Sequence, residues 1–128
     1  KAQTKELRKN LAANGETEAN GCAAHHIVPK KDARDGIKDA ADRLRLLLQK
    51  CSIDIDDARN GVFLPYMNDA ECKGANHRDL HSGDYYRAVL KSLMDGFLND
   101  RCNGVDRELK TVKQGLKTNS LNGGGWVQ

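Results

Sequence analysis

Apolar residues recur at steps of three and four positions in several segments of this chain, and that spacing predicts helices with one buried face. The longest regular segment runs from Asp32 to Gln49, and Gly36 predicts a break near its start. Its apolar positions are Ile37, Ala40, Ala41, Leu44, Leu47 and Leu48. We expect this stripe to be buried in the core.

A shorter helix is predicted over residues 4–13, where Leu7 and Leu11 lie four positions apart. Thr4 is of a residue type that often caps the start of a helix, and Gly15 is of the type that often ends one. The segment is therefore expected to form a short amphipathic helix.

The second half of the chain is predicted to hold two further helices. Ser82 suits the N-cap of the first, whose expected buried stripe is Tyr86, Val89, Leu90, Leu93, Phe97 and Leu98. The second is expected to begin near Asp106, with an apolar side made of Val105, Leu109, Val112 and Leu116.

Two short apolar segments are predicted to be strands. The first is A-A-H-H-I-V-P, which ends at Pro29, and the second is V-F-L-P, which ends at Pro65. Asn60 and Gly61 precede the second strand, and Asn-Gly is a common turn dipeptide. Together with the helices, these strands predict an α+β fold that is mostly helical.

Length and composition predict one globular domain over residues 1–128, with 38 % apolar and 30 % charged residues. No apolar stretch approaches the roughly 20 residues that span a bilayer, so no membrane partner is expected. The first residue is Lys1 rather than Met, which indicates a piece of a longer polypeptide. The net charge of +3 permits contact with nucleic acid but does not identify a partner.

The four cysteines form no C-x-x-C pair, which argues against a zinc ribbon. They are Cys22, Cys51, Cys72 and Cys102. The sequence allows two alternatives. The cysteines could form two disulfides, in any of three pairings, or they could be free thiols of a cytosolic protein.

All four histidines fall in two short motifs. His25 and His26 are adjacent, whereas His77 and His81 lie four positions apart in H-R-D-L-H. Because successive side chains of a strand point to opposite faces, the adjacent pair suggests two separate roles. One imidazole would bind a metal ion, and the other would accept a proton from water near neutral pH.

The H-x-x-x-H spacing places His77 and His81 on one side of a helical turn, where they suit a shared divalent ion. Three imidazoles would leave a position of that ion open for catalysis. A metalloprotease is disfavoured because its motif requires a Glu after the first His, and Arg78 stands there.

Three motifs, taken in order, resemble the AHH family of nuclease domains, which belongs to the HNH or ββα-metal superfamily. They are A-A-H-H-I-V-P, I-D-I-D-D-A-R-N-G-V-F-L-P and H-R-D-L-H-S-G-D-Y-Y, and the resemblance covers about residues 22–98. It implies a ββα-metal catalytic core within the α+β fold. It also implies a metal-dependent endonuclease that hydrolyses phosphodiester bonds.

By this resemblance, His25 would lie at the metal and His26 would be the general base. Asn60 would hydrogen-bond to the backbone near His26 and so fix the direction of the imidazole, a task that suits its two-ended amide. The alternative for Asn60 is that it only forms a turn with Gly61.

The same resemblance implies one divalent metal ion, Mg, Mn, Zn or Ni, held by His25 together with His77 and His81. Asn76 is an alternative oxygen ligand near His77. Lys30 and Arg78 lie beside the motifs and are expected to contact substrate phosphates.

Domains of this family are commonly the C-terminal toxin portions of bacterial polymorphic toxins. The resemblance thus implies a non-specific DNase that acts as an antibacterial toxin, delivered or secreted by its producer and active in the cytoplasm of the target cell. A cognate immunity protein would be its partner. The alternatives are an RNase of the same fold, and a non-catalytic nucleic-acid-binding module whose four histidines close a zinc site, with or without Cys22 or Cys72 as a further ligand.

Overall fold

Three helices and a two-stranded sheet make up the part of the chain that the computed structural model describes, residues 2–32, 34–80 and 82–119. In chain order the elements are α1 (Lys5–Ala13), β1 (Cys22–His26), α2 (Lys38–Lys50), β2 (Gly61–Pro65) and α3 (Gly83–Thr118). Single 3₁₀ turns precede α1, β2 and α3, at Ala2–Thr4, Ala58–Asn60 and His77–Leu80. The predicted α+β class is confirmed, and none of the described helices is both long and apolar enough to cross a membrane.

The two strands pair antiparallel, with His25 opposite Val62 and His26 opposite Gly61. The connection between them contains the whole of α2, so the sheet is not a tight hairpin. Beyond the end of β1, the backbone N–H of Ile27 still donates to the carbonyl of Asn60, at 2.8 Å. This register brings the tandem histidines beside the start of β2.

The two faces of the sheet pack against different helices. On one face, Ala24 and Phe63 pack with the α1 residues Leu7 and Leu11. On the other face, β2 contributes Val62 and Leu64 to the main core, which it shares with α2 and α3. Because side chains alternate along a strand, His25 points to the face of the main core and His26 to the face of α1.

The ends of the helices agree only in part with the predictions. The apolar stripe of α2 is buried as predicted. The helix begins only at Lys38, because Gly36 has φ of +81°, which is not a helical conformation. Ser82 caps α3 as predicted, since its hydroxyl accepts a hydrogen bond from the N–H of Tyr85. Thr4 occupies the N-cap position of α1 as predicted, but its side chain makes no cap hydrogen bond.

Helix α3 folds back on itself at Asp100 and Arg101, whose backbone angles are not helical. The two arms touch where Gly96 and Gly104 meet, because a Cβ atom built on either glycine would overlap the backbone of the other. The predicted separate helix near Asp106 is thus the second arm of α3, and it begins earlier than expected.

One residue of the predicted stripe on the first arm is wrongly assigned. Leu98 is 72 % exposed, since the main core is covered by the other side of that arm and by the returning second arm. The other five positions of the stripe are buried or pack against the core.

Both disulfides form, which rules out free thiols and selects one of the three pairings. Cys22 pairs with Cys72, and Cys51 pairs with Cys102. The first bond joins the start of β1 to the segment that leads to His77, and the second joins the end of α2 to α3.

Candidate active site at the tandem histidines

His25 is buried in the face of the sheet that meets α3, with 2 % of its surface exposed. Its Nε2 lies 2.9 Å from the hydroxyl of Tyr85, and that hydroxyl donates to the carbonyl of Ile27 at 3.1 Å. A phenol has a single proton, so Nε2 of His25 must be the donor to the Tyr85 oxygen. In the neutral ring the lone pair is therefore on Nδ1, which is the form that binds a metal ion.

Burial keeps the Tyr85 hydroxyl in its protonated form. The side chain is fully buried, and this burial raises the pKa of Tyr85 well above its usual value of 10. The hydroxyl thus keeps the proton that it donates to Ile27.

His77 lies next to His25, with the two ring centroids 5.2 Å apart and the rings edge to face. It begins the 3₁₀ turn His77–Leu80 that leads into α3. Asn76 caps this turn, since its Oδ1 accepts a hydrogen bond from the N–H of Arg78 at 2.9 Å. The structure therefore gives Asn76 a local role in the turn and brings His77, rather than Asn76, to His25.

His26 makes a hydrogen bond on the opposite face, between its Nε2 and Oδ1 of Asp56 at 2.8 Å. The second carboxylate oxygen of Asp56 accepts from Nζ of Lys30 at 3.0 Å. Burial lowers the pKa of His26, and this effect exceeds the opposing influence of Asp56. Burial also raises the pKa of Asp56, but the hydrogen bonds from His26 and Lys30 outweigh it, so the net pKa is lowered and the carboxyl is ionised.

Asn60 is completely buried and uses its side-chain amide to hold the backbone beyond His26. Oδ1 accepts from the N–H of Val28 at 2.8 Å, while Nδ2 donates to the carbonyls of Val28 and Ile55 at 3.1 and 2.8 Å. Gly61 follows with φ of −132°, in extended conformation, so the Asn-Gly pair does not form the hairpin turn that was the alternative. The expected hydrogen bonds of Asn60 with the backbone near His26 are present.

A cavity of about 150 Å³ opens at the tandem histidines. Its walls include His25, His26, His77, Lys30, Lys31 and Tyr86. Burial and the nearby carboxylate of Asp32 raise the pKa of Tyr86 to about 12, so its hydroxyl stays protonated. Two basic side chains and three imidazoles thus surround a space of a size that suits a phosphate group.

A second and larger cavity shares Lys30 and Lys31 with this one. It has a volume of about 520 Å³ and is lined by Lys30, Lys31, Asp32, Lys38, Asp42 and Arg45. The guanidinium of Arg78 lies over the ring of Tyr66, 5.7 Å from its centroid. Of the two predicted phosphate contacts, Lys30 lines both cavities, whereas Arg78 follows His77 in the sequence but lines neither of the two.

The described residues supply part of a metal-binding set. His25 and His77 are adjacent imidazoles, and neutral imidazole nitrogens are good ligands of divalent transition metals. His81, the third predicted ligand, lies outside the described residues. Within residues 2–32, 34–80 and 82–119, no three His, Cys, Asp or Glu side chains come together as a metal-binding group.

The closed zinc site that used Cys22 or Cys72 is ruled out. The two sulfurs are bonded to each other, so neither offers the thiolate that zinc requires. The donor chemistry at His25 and His77 still suits a metal ion with open positions.

Two residues at the site were not predicted from the sequence. Tyr85, which contacts His25, has the spacing of a core residue and is indeed buried. Asp56, which contacts His26, stands within the motif I-D-I-D-D-A-R-N-G, so its place beside Asn60 in a matched motif was the available signal. Sequence spacing alone gave no reason to choose it over Asp54 or Asp57.

One protein-family model matches the chain over residues 6–121, and its description is a nuclease family of the HNH/ENDO VII superfamily with conserved AHH. The conserved AHH corresponds in letters to Ala24, His25 and His26. The match extends over α1 and both arms of α3, well beyond residues 22–98 of the three motifs. No curated protein and no solved structure matches the chain.

Proposed function

Because the chain belongs to the AHH nuclease family of the HNH/ENDO VII superfamily, we propose that it is a metal-dependent endonuclease that hydrolyses phosphodiester bonds of DNA, with His26 as general base. Membership in a nuclease family makes nucleic acid its substrate. The observation on which the proposal rests is the 2.8 Å hydrogen bond from His26 to Asp56, beside a cavity that both tandem histidines line.

His26 would take a proton from a water molecule at Nδ1, since Nε2 already donates to the Asp56 carboxylate. Its lowered pKa, caused by burial, keeps the ring neutral and able to accept that proton near pH 7. As the proton leaves, the water oxygen bonds to phosphorus and the bond from phosphorus to the 3′ oxygen breaks. The 3′ oxygen takes a proton from solvent, and the products carry a 5′ phosphate and a 3′ hydroxyl.

We propose His25, His77 and His81 as the protein ligands of one divalent ion, Mg, Mn, Zn or Ni. When bound, the ion would stabilise negative charge on the phosphate and on the departing oxygen. The hydrogen bond to Tyr85 supports the role of His25, because it leaves Nδ1 as the nitrogen with the lone pair. His81 is proposed on its spacing from His77 alone.

Lys30 and Arg78 are proposed to bind backbone phosphates on two sides of the reacting bond. Lys30 donates one hydrogen bond to Asp56, and its ammonium group has three N–H donors, so it can also donate to a phosphate oxygen. Phosphate contacts carry no sequence information, so we propose non-specific cleavage. Asn60 would act through the backbone by holding the segment that follows His26.

We further propose that the protein acts as an antibacterial toxin that its producer delivers or secretes, with the cytoplasm of the target cell as its place of action. Two disulfides support export, because such bonds form and persist in oxidising compartments. A nuclease made by a cell that must protect its own DNA would also require a cognate immunity protein as partner.

The proposed reaction is tested by incubating the protein with supercoiled plasmid and with RNA, each with Mg²⁺, Mn²⁺, Zn²⁺ or Ni²⁺ and with a chelator. We expect plasmid cleavage that needs a metal ion and is lost in His26→Ala, while that variant keeps its fold and binds the metal as tightly as the parent. Asp95→Asn, an exposed change on α3, serves as the matched control.

Each alternative has its own result in the same experiment. Cleavage of RNA but not of plasmid would identify an RNase of the same fold. Binding of nucleic acid without cleavage under every metal would identify a non-catalytic module. Full activity in His26→Ala would show that another group is the base.

A further inference from the structure

Asp56 is held in place by a hydrogen bond at each of its polar groups. The two carboxylate oxygens accept from His26 at 2.8 Å and from Lys30 at 3.0 Å. Its N–H donates to Oδ1 of Asp54 at 2.8 Å, and its carbonyl accepts from Nδ2 of Asn10 at 2.8 Å. The side chain is 13 % exposed, so water competes little for these bonds.

An ionised carboxylate can only accept hydrogen bonds, so the bond to His26 fixes which ring nitrogen has the proton. Nε2 must donate, and Nδ1 of the neutral ring is left with the lone pair. We propose that Asp56 is a positioning residue of the nuclease, which holds His26 in the Nε2–H tautomer and in one ring orientation. This inference rests on the proposed role of His26 as general base.

The backbone and the ring of His26 are thereby fixed by different residues. Asn60 holds the chain just beyond the strand by its bonds to Val28, and it makes no contact with the imidazole among the hydrogen bonds of the described residues. Asp56 makes its bond to the ring itself. An imidazole held only by its backbone is free to turn about its own side-chain bonds and to exchange tautomers.

Lys30 makes the inference testable, because it constrains what an amide would do in place of the Asp56 carboxylate. An ammonium group can only donate, so in Asp56→Asn the amide oxygen would turn to Lys30. The amide nitrogen would then face Nε2 of His26 and donate to it. His26 would be driven to the opposite tautomer, with the proton on Nδ1 and no lone pair there for water.

The experiment compares the wild-type protein with Asp56→Asn and Asp56→Ala, and uses Asp57→Asn as the matched control. Asp57 is the next residue in the same loop, but its carboxylate bonds to Arg59 instead of to His26. Three quantities are measured for each: the ¹⁵N chemical shifts of the His26 ring in the metal-free protein, kcat and KM on plasmid, and the midpoint of urea unfolding.

We expect Asp56→Asn to shift the His26 ring from the Nε2–H to the Nδ1–H tautomer and to lower kcat on the order of 10²-fold, with KM changed less than about twofold. The double variant Lys30→Met, Asp56→Asn should restore part of the population of the Nε2–H tautomer. Without the ammonium group, the Asn amide can rotate so that its oxygen faces Nε2 of His26. Asp57→Asn should keep the wild-type tautomer and kcat.

A purely structural role for Asp56 would lower the unfolding midpoint of both variants and leave the tautomer and kcat of the folded protein unchanged. That result would overturn the inference. Failure of the proposed function is a different result, in which His26→Ala remains active. The ¹⁵N shifts of the His26 ring are measured without turnover. They therefore show whether Asp56 sets the His26 tautomer, whether or not His26→Ala remains active.

Discussion

Asn60 and Val28 are joined by two hydrogen bonds, one in each direction, between a side-chain amide and a backbone peptide group. The amide imitates the pairing of one more strand residue at the point where β1 has ended. Because Val28 and Asn60 are both fully buried, no water replaces these bonds when they are lost.

Replacing Asn60 with Ala should lower the free energy of unfolding by about 3 kcal/mol, since it leaves the Val28 N–H and two carbonyls without their partner. Urea denaturation measures the loss. Nuclease activity of the folded fraction should also fall. Asn68→Ala, in an exposed loop, should change neither quantity, and an unaltered midpoint for Asn60→Ala would refute the prediction.

Replacing Tyr85 with Phe should weaken metal binding by about 10-fold to 100-fold, because His25 loses the oxygen that fixes its tautomer. The ring of Phe fills nearly the same space, so the fold should persist. Isothermal titration with Mn²⁺, Zn²⁺ and Ni²⁺ measures the affinity. Equal affinities in the two proteins would show that His25 is not a ligand, or that its partner does not matter.

The two disulfides should differ in what their removal does. Each closes a loop of about 50 residues, and loss of either should cost about 4 kcal/mol of stability by the chain-entropy relation. Cys22–Cys72 also joins β1 to the segment before His77, so its double Ala variant should bind metal more weakly while still folded. The double Ala variant of Cys51–Cys102 should lose stability alone. Thermal unfolding and metal titration of both variants separate the two effects, and equal metal affinities would contradict the difference.

Asp57 should stabilise the fold in a manner that depends on pH. The hydrogen bonds from Arg59 lower the pKa of Asp57 below its ordinary value of 3.8, and they exceed the opposing effect of burial. A carboxyl with a lowered folded pKa contributes stability above its unfolded pKa and loses that contribution as pH falls through the folded value. Asp57→Asn should thus be less stable than wild type at pH 7, by at most about 1 kcal/mol, and the gap should narrow as the pH falls below 3.8. A gap that stays constant with pH would argue against the ion pair.

The close contact of Gly96 with Gly104 should make Gly104→Ala destabilising, by about 2 kcal/mol, although Ala normally favours a helix. The new methyl group would overlap the backbone of Gly96, so the arms of α3 would have to separate. Leu98→Ala, on an exposed position of the same helix, should be nearly neutral. Urea midpoints of the two variants decide this, and a neutral Gly104→Ala would mean that the arms do not pack so closely.

The helices and strands of this protein followed from local spacing because each buries one regular stripe or face. A boundary between two helices was also predicted in the segment of α3, but its exact place at Asp100 and Arg101 was not, since neither glycine nor proline stands there. Arg101 has φ of +52°, a conformation that its residue type seldom adopts.

At the site, the opposite directions of His25 and His26 followed from strand geometry, whereas their partners did not. His25 contacts Tyr85 and His26 contacts Asp56 across sequence separations of 60 and 30 residues, so only the tertiary structure identifies these partners. The disulfide pairing has the same character, because spacing along the chain does not determine which sulfurs meet.

The insertion of α2 between the two strands has a kinetic consequence. The strands of a compact hairpin are close in sequence, but here residues 27–60 separate β1 from β2. The contact of His25 with Tyr85 likewise requires that the start of α3 has packed against the sheet. Because these contacts join residues that are far apart in the sequence, they cost loop-closure entropy before they stabilise the fold, and we expect them to form late in folding. The proposed nuclease centre would therefore be assembled only after the strands and α3 have packed together, and we expect a partly folded chain to cleave no nucleic acid.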